Sequence, residues 1–159
     1  MQNIHASDIY NFALKDIDGK KLELEKYKGK PLILVNIATR CGYTGQLDDI
    51  EKIYKKYQGK GLKILAIPSN DFKNQTPENN KDVKKFCRLE YGVTFDLSKK
   101  YHVLGDKKHP LIKHLVGDDE INWNFEKFLI SKNGELKKRF KSDVKPTSKE
   151  FKKATQDLL

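Results

Sequence analysis

Two cysteines are the residues of this sequence best suited to covalent chemistry. Cys41 follows the apolar run from Leu32 to Ala38 and lies between Arg40 and Gly42, in a polar stretch just before a predicted helix. A helix N-terminus and a neighbouring cation both favour the thiolate, which is the nucleophilic form of cysteine. A structural cysteine, the alternative, usually lies within an apolar run. The setting therefore predicts a reactive thiol at Cys41.

The second cysteine bears on which thiol chemistry is available. A disulfide oxidoreductase carries another cysteine three positions after the first, but here that position is Thr44. Chemistry that begins with one thiol is therefore predicted. Cys87 lies on the same side of a short predicted helix as Val83 and Phe86. The pattern alone leaves two interpretations of Cys87 open, a small buried core residue or a redox-active thiol.

The elements around Cys41 follow a strand–helix–strand order. Residues 32–38 are predicted to form a strand buried on both faces. Helical spacing from Leu47 to Tyr57, ended by Gly59 and Gly61, predicts a helix, and Leu62 to Ile67 predicts a second buried strand. Strands joined in this way are parallel and form a right-handed βαβ unit.

The remaining patterns complete a single domain that spans all 159 residues. Alternation around Asp18-Gly19 predicts an N-terminal β-hairpin, and Asn133-Gly134 predicts a second hairpin, between strands at 128–130 and 136–140. A short helix marked by Val83, Phe86 and Leu89 ends near Gly92. A closing helix contains Phe151, Ala154 and Leu158 and is capped by Thr147 or Ser148. This order predicts an α/β protein with a thioredoxin-like fold, in which helices flank a central mixed sheet.

Charge and composition argue against a nucleic-acid partner and against a membrane-spanning segment. The net charge is +10, but only three of the 32 basic residues are Arg, and base readout depends on Arg. The lysines alternate with acidic residues along the chain, which favours a solvated surface over a nucleic-acid site. No apolar stretch is long enough to span a membrane, and the first ten residues do not look like a signal peptide, so a cytoplasmic protein is expected. No metal site or cofactor is predicted, because the histidines (His5, His102, His109 and His114) lack metal-ligand spacing with the cysteines.

Six segments together resemble the glutathione peroxidase family. They are LVNIATRCGYT (34–44), IPSNDF (67–72), QTP (75–77), FCRLEYGVTF (86–95), HPL (109–111) and NWNFEKFL (122–129). The segments occur in the family's order and with its separations, from roughly residue 12 to residue 140. The resemblance implies a thioredoxin-like fold and the reduction of hydroperoxides, hydrogen peroxide and lipid hydroperoxides included, to water or alcohols.

The resemblance also implies roles for individual residues. Cys41 matches the peroxidatic residue, and Gln75, Trp123 and Asn124 match the other three catalytic positions. Their amide and indole N–H groups are neutral donors, suited to stabilise charge on the departing oxygen. Such stabilisation is needed, because an ordinary thiol is already about 3% thiolate at pH 7 and full ionisation cannot supply a typical enzymatic acceleration.

In non-animal members with this motif, the cysteine that matches Cys87 resolves the sulfenic acid, and thioredoxin reduces the resulting disulfide. Glutathione is the other reductant considered. Ser69 replaces a cysteine often found in the family, so that position cannot resolve here. Lys73-Asn74 replaces a common Gly pair, and Asp71 replaces a Gln. The link from Leu111 to Asn122 is shorter than in tetrameric members, which favours a monomer.

Two other functions remain open from the sequence. A redox relay would use the same thiol chemistry but pass its disulfide to a client protein, with which it would form a stable mixed disulfide. A basic nucleic-acid binder would instead show salt-sensitive affinity for DNA.

Overall fold

The computed structural model of the chain describes residues 6–159, with side chains described from residue 9 onward. His5, one of the histidines considered above, lies outside this range. The strands are β1 (Leu14–Lys15), β2 (Lys21–Leu22), β3 (Leu32–Ile37), β4 (Lys63–Pro68), β5 (Asp96–Leu97), β6 (Lys127–Ile130) and β7 (Leu136–Phe140). The α-helices are α1 (Gln46–Tyr57), α2 (Asn80–Lys85), α3 (Pro110–Val116) and α4 (Lys149–Leu158). Short 3₁₀ turns cover Ala6–Asn11, Leu24–Tyr27 and Gln58–Lys60.

The central sheet is mixed and has the strand order β5-β4-β3-β6-β7. β3 pairs in parallel with β4 and antiparallel with β6, while β4 and β5 are parallel and β6 and β7 antiparallel. The predicted βαβ unit, the second hairpin and the mixed sheet are therefore confirmed. The N-terminal hairpin is confirmed as well, because β1 pairs with β2 and the Gly19 N–H donates to the Asp16 carbonyl in the connecting turn.

Two apolar layers cover the two faces of this sheet. One layer packs Ile33, Val35 and Ile37 of β3 against α1, α4 and the buried side of α2. The other packs Leu32 and Leu34 against α3 and the N-terminal hairpin. Alternate residues of a strand point to opposite faces, so a fully apolar strand fits only where both faces are covered. Within residues 6–159 no helix is long and apolar enough to cross a membrane.

Three details differ from the sequence-based expectation. β5 and α3 were not predicted, since both are short and carry little periodicity of their own. Leu89 was expected on the buried side of the second helix but is 75% exposed. The cause is a change of helix type, because α2 ends at Lys85 and Phe86–Glu90 continue as a π-helical turn. A π-turn has a longer period than an α-helix, which carries Leu89 away from the core.

The closing helix ends the chain as expected. Ser148, rather than Thr147, caps it, because the Phe151 N–H donates to the Ser148 hydroxyl at 3.2 Å. Phe151, Ala154 and Leu158 face the core as predicted.

Candidate active site

Cys41 lies four residues beyond the end of β3, in a turn that presents its partly buried thiol. The Tyr43 N–H donates to the sulfur at an N···S distance of 3.4 Å. The Thr44 hydroxyl accepts the Cys41 N–H and donates to the Ala38 carbonyl, both at 2.9 Å, so the turn is fixed at its two ends. Since α1 begins only at Gln46, the N–H that reaches the sulfur belongs to this turn and not to the first turn of the helix.

Arg40, the cation beside Cys41, pairs with a carboxylate from a different loop. Its Nε donates to Glu78 at 3.0 Å, and the Thr39 hydroxyl donates to the other oxygen of the same carboxylate at 2.5 Å. Burial by itself raises the pKa of Glu78, but the Thr39 hydrogen bond, a main-chain hydrogen bond, the Arg40 hydrogen bond and the Arg40 charge together hold the pKa below its usual value. The Arg40 cation is therefore paired with Glu78, a contact that the sequence did not predict.

The main chain of Gln75 is hydrogen-bonded to the two residues that precede Cys41. Its carbonyl accepts the Arg40 N–H at 2.9 Å and the Thr39 N–H at 3.2 Å. The two residues before Gln75 have an unusual backbone conformation. Lys73 and Asn74 have φ of 52° and 54°, in the left-handed region. These are the two positions where the sequence departs from the family's Gly pair, and glycine adopts this region without strain.

Asn124 joins Gln75 through a side-chain hydrogen bond. The fully buried Asn124 donates from Nδ2 to the Gln75 Oε1 at 3.1 Å. This bond uses the acceptor of the Gln75 amide, so the Nε2 donor of Gln75 stays available for another partner. Among the described residues, the Asn124 Oδ1 is buried and accepts no hydrogen bond. Cys41, Gln75 and Asn124 thus come from three separate segments that are hydrogen-bonded to one another.

Trp123 lies beside this group, directly before Asn124. Its partly exposed ring packs against Phe72 with the centroids 5.6 Å apart. Trp123 and Tyr43 also line a small cleft of about 250 Å³, together with Asn122 and Glu126 and with residues 141–143. Trp123 and the turn that contains Cys41 therefore lie close together, through Tyr43.

Asn36 is a positioning residue that the sequence reasoning did not single out. It lies in β3 and is fully buried. Its Nδ2 donates to the Trp123 carbonyl at 3.0 Å, and its Oδ1 accepts the Glu126 N–H at 3.1 Å. Its main-chain carbonyl accepts the N–H of Phe125, a residue with φ of 67°. The signal was present in the sequence, because a polar residue in an otherwise apolar, buried strand must find buried partners.

Asp71, where the family commonly has Gln, anchors the other side of the Gln75 loop. Its carboxylate accepts the N–H groups of Val103 and Leu104 at 2.7 and 3.1 Å and contacts the His102 Nδ1 at 2.8 Å. Burial raises the pKa of Asp71, but the His102 and main-chain hydrogen bonds together leave it lowered. The substitution therefore replaces an amide with an ionised anchor of the same loop.

Cys87 does not join this constellation in the resting structure. It is fully buried in the π-helical turn and packs in the apolar cluster whose edge Cys41 also contacts. Both cysteines are free thiols. Burial raises the pKa of Cys87 to about 12, against a smaller opposing effect of the Arg88 cation. Cys87 is therefore a neutral thiol near pH 7 and a weak nucleophile where it stands.

The described residues contain no group of three or more His, Cys, Asp and Glu side chains that could hold a metal ion. The three histidines in the described part of the chain have other partners, and that of His102 is Asp71. His109 caps α3, since its Nδ1 accepts the Leu111 N–H at 3.0 Å and its Nε2 donates to the Ala13 carbonyl at 2.9 Å. The ring of His114 packs against that of Phe12.

Comparisons with known proteins agree with this geometry. The family model described as glutathione peroxidase matches residues 9–116. The chain is 40% identical over 149 residues to "Glutathione peroxidase-like peroxiredoxin 2" of Saccharomyces cerevisiae, covering 89% of this chain and 92% of the relative. It is 37% identical over 150 residues to "Hydroperoxy fatty acid reductase gpx1" of Synechocystis, covering 87% and 89%.

A crystal structure of a Trypanosoma cruzi protein, T. cruzi GPX1, has a TM-score of 0.74 to this chain at 30% identity. The match covers 94% of this chain and 93% of the other. The thioredoxin-like fold expected from the element order is confirmed. With a family match over more than half of its length and a relative 40% identical over nearly all of it, this chain belongs to the glutathione peroxidase family.

Proposed function

We propose that this peroxidase reduces hydrogen peroxide and organic or lipid hydroperoxides through Cys41, with Cys87 as the resolving thiol and thioredoxin as the reductant. The observation that carries the proposal is the set of hydrogen bonds that connects the Cys41 turn to Gln75, and Gln75 to Asn124. Gln75 is tied to the Cys41 turn by its main chain and to Asn124 by its side chain. A partly exposed thiol, in a turn that is hydrogen-bonded to a segment with neutral N–H donors, suits attack on a peroxide bond.

The first step is nucleophilic displacement at the peroxide. The Cys41 thiolate attacks the hydroxyl oxygen of the hydroperoxide, so a sulfur–oxygen bond forms and the oxygen–oxygen bond breaks. Cys41 becomes a sulfenic acid, and the departing alkoxide takes up a proton and leaves as the alcohol, or as water from hydrogen peroxide. The Gln75 Nε2, the Asn124 Nδ2 and the Trp123 indole N–H stabilise the developing charge.

The second step joins the two cysteines. The Cys87 sulfur attacks the Cys41 sulfur, hydroxide leaves and takes the Cys87 proton to form water, and a disulfide results. A disulfide requires Cα atoms within about 7 Å. Because Cys87 is buried and protonated at rest, we propose that residues 80–90 unwind during this step. Exchange with the thioredoxin dithiol then restores both thiols.

The cell context follows from this chemistry. Reduced thioredoxin requires a reducing compartment, so we propose that the enzyme acts in the cytoplasm.

We further propose that the enzyme is a monomer. Only 12 residues separate the HP pair at 109–110 from Trp123, and this link is longer in the tetrameric family members. Sedimentation of the reduced enzyme at several concentrations tests this, and a concentration-independent dimer or tetramer would contradict it.

Steady-state peroxide reduction tests the proposal with thioredoxin and glutathione systems compared side by side. The wild type should turn over with thioredoxin, whereas Cys41→Ser should show no turnover, because a serine hydroxyl does not ionise near pH 7. Cys87→Ser should consume one equivalent of peroxide and then stop. Full thioredoxin-driven turnover by Cys87→Ser, together with equal hydrogen exchange of residues 80–90 in both redox states, would indicate an enzyme that works with one cysteine. Faster turnover with glutathione than with thioredoxin would indicate glutathione as the reductant. A stable mixed disulfide with one client protein, in place of turnover, would indicate a relay.

A further inference from the structure

Arg88 fastens the turn that contains Cys87 to the segment that follows it. The Arg88 Nη1 donates to the Val93 carbonyl at 2.7 Å and to the Phe95 carbonyl at 2.9 Å. The Val93 N–H in turn donates to the Cys87 carbonyl at 3.0 Å. These three hydrogen bonds, which join the π-helical turn to residues 93–95, are called the closure below. Hydrogen bonds from a charged donor are stronger than those between neutral groups, so the two Arg88 bonds are the stronger part of the closure.

The segment to which Arg88 is fastened is itself firmly held. The main-chain N–H and the hydroxyl of Thr94 donate to the two oxygens of Glu51 at 2.9 and 2.6 Å. Glu51 lies in α1 and is only 4% exposed, and the neighbouring Phe95 is fully buried against Tyr54 of the same helix. Residues 93–95 therefore belong to the rigid body of the domain, and Arg88 connects the π-helical turn to that body.

The opposite side of the turn has little to hold it. Leu89 is 75% exposed and Glu90 is also exposed. The π-helical turn is a rare interruption of regular α-helix, of a kind that is frequent at functional sites. Arg88 is thus the side chain that keeps a weak turn closed over Cys87.

We propose that Arg88 is a positioning residue that holds Cys87 in its buried resting place and thereby limits the rate of disulfide formation with Cys41. This inference rests on the proposed function, in which Cys87 resolves the Cys41 sulfenic acid. Opening of the turn precedes the attack of the Cys87 sulfur on the Cys41 sulfur, with water as the product. Release of the two Arg88 hydrogen bonds is part of that opening.

Slow opening has a chemical consequence. Before the disulfide forms, a second hydroperoxide can oxidise the Cys41 sulfenic acid. A second sulfur–oxygen bond forms, the oxygen–oxygen bond breaks, and an alcohol, or water from hydrogen peroxide, is released. The product, a sulfinic acid, is outside the thioredoxin cycle. Arg88 therefore sets how much peroxide the enzyme tolerates before it is inactivated.

The test compares Arg88→Gln and Arg88→Met with Lys85→Gln, which removes an exposed cation from the end of the adjoining helix α2 without touching the closure. Rapid-quench mass spectrometry follows the conversion of the sulfenic acid to the Cys41–Cys87 disulfide after one equivalent of hydrogen peroxide. We expect the first-order rate constant to rise about tenfold or more in both Arg88 variants, which corresponds to about 1.4 kcal/mol. The sulfinic fraction at high peroxide should fall in parallel, while Lys85→Gln should match the wild type.

The direction in which the rate constant of disulfide formation changes distinguishes a positioning role of Arg88 from an effect of its charge on Cys87. Loss of the Arg88 cation disfavours the Cys87 thiolate and would slow resolution, so an acceleration reports release of the turn. Leu158→Ala in α4 controls for general destabilisation, because α4 packs against β6, which lies on the opposite side of β3 from β4 and β5, and the rate should stay unchanged. An unchanged or slower rate in the Arg88 variants would overturn the proposal, and so would an equal acceleration in Leu158→Ala. Absence of any Cys41–Cys87 disulfide in the wild type would instead refute the proposed function itself.

Discussion

Replacement of Asn36 by alanine should disable the site without touching any group that meets the substrate. Asn36 lies in the middle of the sheet, and both of its side-chain hydrogen bonds go to the turn that contains Trp123 and Asn124. Phe125, within that turn, adopts a left-handed φ of 67°. Such a conformation persists in a non-glycine residue only where the surroundings enforce it. Asn36→Ala removes the two side-chain hydrogen bonds that help to enforce it, while the main-chain bond from the Phe125 N–H to residue 36 remains.

The magnitude follows from the groups left without partners. The Glu126 N–H and the Trp123 carbonyl both lose the Asn36 side chain, and a buried unsatisfied polar group costs about 1–3 kcal/mol. The unfolding free energy should therefore drop by about 2–5 kcal/mol. The second-order rate constant for peroxide should fall by about tenfold to a hundredfold, because displacement of a catalytic group by about 1 Å has an effect of that size.

Urea denaturation and stopped-flow oxidation measure the two effects. Thr155→Val is the matched control, since Thr155 is fully buried in α4 and its hydroxyl has no hydrogen-bond partner among the described residues. Removal of that hydroxyl should leave stability unchanged or raised, and the oxidation rate unaltered. If Asn36→Ala behaves like Thr155→Val in both assays, Asn36 does not position the turn.

Three further predictions concern single residues. Trp123→Phe keeps a ring against Phe72 but deletes the indole donor, so stopped-flow oxidation should be slower at an unchanged circular dichroism spectrum, and unaltered kinetics would exclude a role for the indole N–H. Lys73→Gly relieves a left-handed residue and should raise the unfolding free energy by about 0.5–1 kcal/mol, whereas Lys28→Gly, at φ −60°, should lower it; urea midpoints that move in the same direction would contradict this. Burial lowers the pKa of His109 from its ordinary 6.5, so the unfolded chain binds that proton more readily and stability should fall as the pH drops below 6.5 towards the folded-state value. His109→Asn keeps a capping residue and should lose part of this slope in denaturation titrations, and identical slopes would show that His109 does not titrate on unfolding.

The elements with a strong apolar period could be predicted from the sequence alone. The mostly apolar run from Leu32 to Ile37 specifies a strand covered on both faces. Asn133-Gly134 specifies the turn between β6 and β7. Few other structures satisfy these two patterns. The π-helical turn at Phe86–Glu90 could not be predicted. Its five residues are compatible with an ordinary α-helix, and only the contacts of Cys87 and Arg88 with residues 93–95 select the longer period.

The candidate site divides in the same way. Cys41 was identifiable from its local setting, and Gln75, Trp123 and Asn124 from the family resemblance. The pairing of Arg40 with Glu78 was not, since it depends on how two loops 38 residues apart approach one another. The Asn124–Gln75 hydrogen bond likewise arises from the fold and not from either local sequence.

The most direct test of the account is to identify the sulfur that meets the peroxide. Cys87→Ser is treated with one equivalent of hydrogen peroxide in the presence of a reagent that traps sulfenic acids, and the products are mapped by peptide mass spectrometry. The account predicts the trapped adduct on Cys41, with consumption of the peroxide. Peroxide consumption without an adduct on Cys41, or the same consumption by Cys41→Ser, would contradict it.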